Sequence, residues 1–357
     1  MGQIPFTLRR VGMLTRGLTT NRESPKLDRL ASIEDPDQFV WSILPHAARS
    51  FATSIVLLPE RASRAAAVGY LYARMLDTYE DLSRSGEEAR QSLATFAGRF
   101  NGYTLGVAPP APRPAVADNR DLTHILLIDR HALVDEVFLH LDSQDQALIA
   151  SLVGEMAAGM IEFSETFERQ GGVLDNEDQV LGYCQKVIGL PALFVMRLMG
   201  DSLIGTDTTD ALEFSELIQL ANITRDIEKD LARGVAYHPA LRPHLGLDGT
   251  GVESKAVAMA RRDLVLLAVS RAPSMRRLMA TANLPRMSTA RAGAVMMMLF
   301  TGRHYGSQTP HGDKTNSTQT GPTSALFFTS VMAAVSPKWS EKVLVGIEND
   351  LMAIAQT

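Results

Sequence analysis

Residues Tyr70–Asp81 read YLYARMLDTYED, and within them Tyr70, Arg74, Asp77 and Asp81 step by four, three and four. At 3.6 residues per turn these four fall on one stripe of a helix. Leu71, Met75 and Leu76 border the stripe, so the same helix carries apolar flanks that pack inward. A second segment, Gln219–Asp230, reads QLANITRDIEKD; its Gln219, Asn222, Asp226 and Asp230 step by three, four and four, bordered by Leu217, Leu220, Ile223 and Ile227. One Asp pair at i and i+4 is a common solvated helix face and costs only a few tenths of a kcal/mol. Two such pairs, each preceded on its own stripe by polar side chains able to hold phosphate oxygens, point to chemistry.

If the two stripes meet across a helical bundle, their carboxylates repel. Two unit charges about 4 Å apart repel by about 4 kcal/mol at an effective dielectric of about 20. Hard divalent cations with oxygen ligands resolve that conflict, and Mg2+ characteristically takes one or two carboxylates and completes its shell with water and phosphate. The expected site is therefore a Mg2+-bridged diphosphate site in which the ions stabilise a departing diphosphate. A carbocation left behind is destroyed by water, so the adjoining pocket has to be dry and apolar. Met156, Gly159, Met160 and Phe163 on one helix, with Val187, Gly189 and Leu190 on another, are its expected lining or ordinary core. Gly159 and Gly189 favour the pocket, because glycine inside a helix costs about 1 kcal/mol against Ala and calls for a packing reason.

Working outward, helical periodicity dominates from Pro36 to Phe300, with few alternating β-branched runs, which predicts an all-α fold. Helices are expected at about 60–84, 87–101, 120–140, 143–169, 177–200, 208–233, 252–270 and 288–301. Asp142 or Ser143 and Asn176 are expected N-caps, and Gly86 marks a break. The stretch Gly106–Pro114, GVAPPAPRP, reads as a proline-rich loop within one domain. The expected organisation is a basic arm over 1–37, one catalytic helical domain over 38–301, a polar linker over 302–323 and an apolar tail over 324–357. The tail either packs back as helices, the favoured reading, or lies on a membrane surface.

The 357 residues are 45% hydrophobic and 21% charged, which excludes disorder throughout. A net charge of −5 argues against nucleic acid as a partner. Cys184 is the only cysteine, so an intrachain disulfide framework and a multi-thiolate zinc site are excluded, and a reducing cytoplasm fits best. No apolar run is expected to approach the ~18 residues that cross a bilayer. Arg9, Arg10, Arg16, Arg22, Lys26 and Arg29 lie on the arm without a secretory apolar segment, and peripheral attraction to anionic lipid at the inner face of the cell membrane is the minor reading.

The motifs resemble those of the squalene and phytoene synthase family, the head-to-head trans-prenyl diphosphate synthases. ARSFATSIVLLP at Ala48–Pro59, DTYED at Asp77–Asp81, GEMAAGMIEF at Gly154–Phe163, YCQKVIG at Tyr183–Gly189 and NITRDIEKD at Asn222–Asp230 follow that family's order over about residues 42–301. DTYED is similar to the squalene-forming variant of the first aspartate-rich motif. The resemblance implies a single-domain isoprenoid synthase bundle with a central apolar pocket, acting as a farnesyl-diphosphate farnesyltransferase. Two farnesyl diphosphates would join through presqualene diphosphate and be reduced by NADPH to squalene. It further implies Asp77, Asp81, Asp226 and Asp230 as holders of Mg2+ and Tyr183 as the residue for proton abstraction. Arg49, Ser50, Phe51, Tyr70, Arg74, Gln219, Asn222 and Arg225 would contact or balance substrate, alongside the pocket residues named above.

The chain also departs from the family pattern. Gly234 is followed by Val235 where a Gly-Arg pair is usual, leaving Arg233 as the expected diphosphate contact. VIGLPA brings Ile188 and Pro191 into the pocket segment. STARAGAV at Ser288–Val295 offers only Arg291 where a basic cluster serves NADPH, which weakens the reductive step. The family's eukaryotic C-terminal membrane anchor is not expected. Alternatives are a relative that works without NADPH, forming presqualene diphosphate, dehydrosqualene, hydroxysqualene or phytoene, and a non-catalytic helical partner protein on the same scaffold.

Overall fold

The computed structural model describes residues 10, 12–14, 25–48, 50–103, 105–200, 207–247, 254–282, 284–285, 287–306 and 323–355. Among them no strand occurs; Val173 and Ala236 form an isolated parallel bridge. The helices are α1 (Leu27–Ala31), α2 (Pro36–Ala48), α3 (Ser50–Leu57), α4 (Glu60–Leu82), α5 (Gly86–Gly98), α6 (Asn119–Asp129), α7 (His131–Leu139) and α8 (Ser143–Arg169). They continue with α9 (Glu177–Cys184), a π-helical turn (Gln185–Gly189), α10 (Leu190–Met199), α11 (Thr208–Ala232), α12 (Ser254–Val269), α13 (Ser274–Thr281), α14 (Thr289–Gly306), α15 (Thr323–Val335) and α16 (Pro337–Ala355).

Sequence signals explain many of the ends. Asn176 caps α9 by accepting from the Gln179 N–H at 3.0 Å, and Ser85 caps α5 by accepting from that of Glu88 at 3.2 Å. Asp118 and Asp121 form a reciprocal capping box on α6. Some boundaries differ from expectation. The run 120–140 is two helices, because the chain leaves helical geometry at Arg130. α14 continues through residues 302–306, the start of the expected linker; residues 307–322 lie outside the described residues. The expected arm over 1–37 is described only in part and contains α1.

Two helical runs, Ser143–Arg169 and Glu177–Met199, are long and apolar enough to cross a membrane, contrary to the expectation that no run approaches that length. Pro191 does not interrupt the second. It follows the π-helical turn, where the Leu190 N–H already bonds five residues back to Gln185 at its carbonyl, and the wider turn accommodates a residue lacking its own N–H.

The chain forms two compact units. The first comprises 1–161, 194–200 and 285–297. In it α4 packs against α2, α5, α6 and α7. Its core includes Tyr72, Tyr79, Phe96, Phe100 and Phe138, whose rings meet mostly edge-to-face at 5.0–6.0 Å. The Tyr72 hydroxyl donates to Asp135 at 2.8 Å, and buried Arg99 pairs with the same carboxylate. Arg99 also donates to the Gly106 carbonyl and Tyr79 to that of Pro109, each at 2.6 Å, which straps the proline-rich loop to the core.

The second unit comprises 162–193, 201–284 and 298–357. Here α11 packs against α9, the π-helical turn, α12 and α13, while α15 and α16 pair and α16 lies on α12 and α13. Val343, Leu344, Ile347 and Leu351 are the buried face of α16, and Arg276 of α13 binds Glu341 at 2.8 Å and Glu348 at 3.2 Å. The tail is therefore packed helix over its described length.

Candidate active site

In the first unit, α4 is submerged on every side but one. Between residues 70 and 81 the side chains that keep exposure are Tyr70, Arg74, Asp77, Glu80 and Asp81. Arg74 donates to the Tyr70 hydroxyl at 2.8 Å and pairs with Asp77 at 3.0 Å. Burial alone would lower the Arg74 pKa, but Tyr70, Asp77 and Asp81 hold it above its ordinary value. The second Asp77 oxygen, Oδ1, is buried and accepts no hydrogen bond. Burial pushes the Asp77 carboxyl up to about 6; Arg74 opposes that rise, Asp81 adds to it by like charge, and Arg120 of α6 opposes it more weakly. A buried carboxylate oxygen without a donor, beside a second carboxylate, fits a hard cation. Among the described residues no three His, Cys, Asp or Glu side chains cluster closely enough to hold one alone, so this unit offers a carboxylate pair.

Phe51 stacks at a tilt on Tyr70, with centroids 5.6 Å apart. Of Ser50 only the backbone is described, and Arg49 lies outside the described residues. Met156 and Met160 are 1% and 0% exposed, and Gly159 between them is buried. Arg291 sits in the first turn of α14, which Ser288 caps by accepting from its N–H at 3.1 Å. The Arg291 Nε is buried without a hydrogen-bond partner. The Arg10 guanidinium donates to Thr289 Oγ1 at 3.2 Å and to the Leu58 carbonyl at 2.6 Å, bringing a second cation to the start of α14.

In the second unit, α11 presents Asn222, Arg225, Asp226 and Asp230 on its accessible face, with Gln219 buried beside them. Asn222 donates to Gln219 at 3.1 Å. Arg225 grips Asp226 with both arms of its fork, at 2.9 and 2.6 Å. Arg233 is the C-cap of α11, followed by Gly234 at φ 81°. The Val235 N–H bonds the Asp230 carbonyl at 2.9 Å and the Gly234 N–H bonds that of Leu231 at 3.0 Å, a Schellman ending. That geometry explains the glycine at 234. Gly172, where an added Cβ would lie 2.4 Å from the Gly234 carbonyl oxygen, packs directly beneath the turn.

Tyr183, 7% exposed, stands in an aromatic cage. Its ring is 5.4 Å from Phe163, 6.1 Å from Phe167 and 5.2 Å from Tyr237. Cys184 beside it is fully buried, which raises its thiol pKa well above the ordinary value. Val187 is buried in the π-helical turn. At Gly189 a Cβ would stand 2.9 Å from Leu212 Cδ2 and 3.3 Å from Ser215 Oγ, so this glycine serves the contact with α11 rather than an open pocket.

A family model described as squalene/phytoene synthase matches residues 44–305. The chain belongs to the squalene/phytoene synthase family. That family comprises prenyl-transferring enzymes whose substrates include farnesyl diphosphate. Lycopaoctaene synthase of Botryococcus braunii is 29% identical over 212 residues, 56% of this chain and 43% of that protein. Squalene synthase of Bos taurus is 28% identical over 223 residues, 60% of this chain and 49% of that protein. The chain thus spans about half the length of the curated relatives it matches. Among solved structures, TcSQS with the ligand E5700 has a TM-score of 0.66 at 18% identity, covering 91% of this chain and 99% of that one. A dehydrosqualene synthase has a TM-score of 0.53 at 15% identity, covering 84% and 99%. The fold is the all-α isoprenoid synthase fold.

Within this member of the squalene/phytoene synthase family, the structure adds residues that the motifs do not flag. Arg120 acts electrostatically on Asp77 from another helix, Phe167 and Tyr237 complete the cage around Tyr183, and Arg10 joins Thr289. A buried Glu216 receives a hydrogen bond from Gln185 of the YCQKVIG segment at 2.6 Å. Of these, only the aromatic types at 167 and 237 carry a sequence signal; the others depend on contacts between distant segments.

Proposed function

We propose that this protein is a Mg2+-dependent farnesyl-diphosphate farnesyltransferase of the squalene-forming type, which joins two farnesyl diphosphates through presqualene diphosphate and reduces the product with NADPH. The observation that carries this reading is the Tyr70–Arg74–Asp77–Asp81 stripe, the one accessible face of an otherwise buried half-helix, with an unpartnered carboxylate oxygen at Asp77. Asp77 and Asp81 on α4 would hold Mg2+, and so would Asp226 and Asp230 on α11. When bound, Mg2+ supplies charge stabilisation to the leaving diphosphate.

The chain's own residues account for the rest. Arg74, Asn222, Arg225 and Arg233 bind and orient diphosphate oxygens, and the Arg225 fork has the bidentate geometry that phosphate favours. Phe163, Phe167 and Tyr237 keep water from the Tyr183 phenol and offer π-faces to developing positive charge. The Tyr183 oxygen takes the proton lost on cyclopropane closure, with the released diphosphate as the final acceptor. Arg10 and Arg291 would hold an NADPH phosphate, and NADPH when bound supplies hydride. The proposed location is cytoplasmic, with peripheral contact at the inner face of the cell membrane.

Incubation with farnesyl diphosphate and Mg2+, with and without NADPH, followed by mass-spectrometric product analysis, tests the proposal. Presqualene diphosphate without NADPH and squalene with it are expected; absence of any C30 product overturns it. The presence of Arg291 as the sole cation of STARAGAV favours a second reading, a synthase that works without NADPH. A product set indifferent to NADPH selects that reading.

A further inference from the structure

Glu216 stands on α11 among Phe214, Ser215, Leu217 and Ile218, and it is 4% exposed. An apolar residue there would serve the core better, because a buried charge costs several kcal/mol unless it is paired and hydrogen-bonded. Glu216 has both kinds of partner. Arg271, in the turn after α12, approaches one oxygen at 2.8 Å, and the Gln185 side-chain amide donates to the other at 2.6 Å. Three segments distant in sequence are thereby tied at one carboxylate.

Gln185 is the first residue of the π-helical turn and lies two residues beyond Tyr183. It is fixed twice: its carbonyl accepts the five-back bond from the Leu190 N–H, and its side chain is anchored on Glu216. A π-helical turn holds one residue more than an α-helical turn, so relaxation to ordinary α geometry would rotate the flanking residues relative to one another. Gly189, flat against Leu212 and Ser215, closes the other end of the turn onto the same face of α11. We infer that Gln185 and Glu216 are positioning residues for Tyr183, locking the π register that holds its phenol between Phe163 and Tyr237.

This inference rests on the assignment of Tyr183 to the proton-abstracting step, and a double-mutant cycle separates the two. Single-turnover formation of presqualene diphosphate is measured for Gln185→Leu, Tyr183→Phe and the double variant, with thermal melting alongside. Gln185→Leu is expected to slow the step about tenfold with the KM for farnesyl diphosphate and the melting point nearly unchanged, and to add nothing in the Tyr183→Phe background. Glu216→Gln, which keeps an acceptor for Gln185, is expected to retain most of the rate. Additive losses in the double variant, or a rate loss that tracks melting, overturn the positioning role. A Tyr183→Phe variant of unchanged rate overturns the assignment of Tyr183 itself and removes the inference with it.

Discussion

His304 illustrates how one side chain sets a pH limit. Its Nε2 lies 3.3 Å from Thr224 Oγ1 on α11, and burial, reinforced by the positive charge of Arg225, lowers its pKa from 6.5 to about 4. Above pH 6.5 the ring is neutral in both folded and unfolded chains and costs nothing. Between about 6.5 and 4 the unfolded chain takes a proton that the folded chain refuses, so stability falls on acidification and then levels off. The loss attributable to this residue is up to about 3 kcal/mol at about 1.4 kcal/mol per unit. Denaturant midpoints between pH 4 and 8 are expected to fall less steeply for His304→Gln than for the parent; identical profiles would remove His304 from the acid response. Charge placement of this kind was partly legible in the sequence. The stripe from Tyr70 to Asp81 follows from spacing alone, whereas the two partners of Glu216, Gln185 and Arg271, come from segments that no periodicity connects.

Among the elements, α4 and α10 meet at a contact that tolerates no added atom. A Cβ on Gly69 would lie 2.6 Å from Cε1 of Phe194, whose ring is buried. Gly69→Ala is expected to destabilise the fold by about 1–3 kcal/mol through overpacking. Phe194→Leu should return part of that loss in the double variant, a non-additivity read from urea midpoints; strictly additive costs would locate the strain elsewhere. Helix existence was largely legible, since apolar spacing and the Asn176 cap are local signals. Interruptions were less so. Pro45 and Pro191 both lie inside helical segments, the second because the preceding π-helical turn alters which backbone partners are required. Arg130 ends α6 without any residue that announces a break.

For the whole molecule, the C-terminal helices are part of the folded body and not an appendage. Val343, Leu344, Ile347 and Leu351 are buried, each contributing about 1.5–3 kcal/mol, and Arg276 anchors their helix through Glu341 and Glu348. A chain shortened before residue 323 is expected to lose soluble yield and to melt well below the parent in differential scanning calorimetry. An unchanged melting temperature would show that α16 contributes nothing to the cooperative unit. The tail's apolar character was legible, but its destination was not, because apolar composition alone fits packing and lipid equally well.

The lone thiol at Cys184 makes the molecule its own stopwatch. It is fully buried, adjoins Tyr183 and is held in its protonated form by its surroundings, so an alkylating reagent reaches it only when the segment opens. With no other cysteine in the chain to blur the reading, the rate of labelling becomes a residue-resolved record of how often the cage around the phenol breathes.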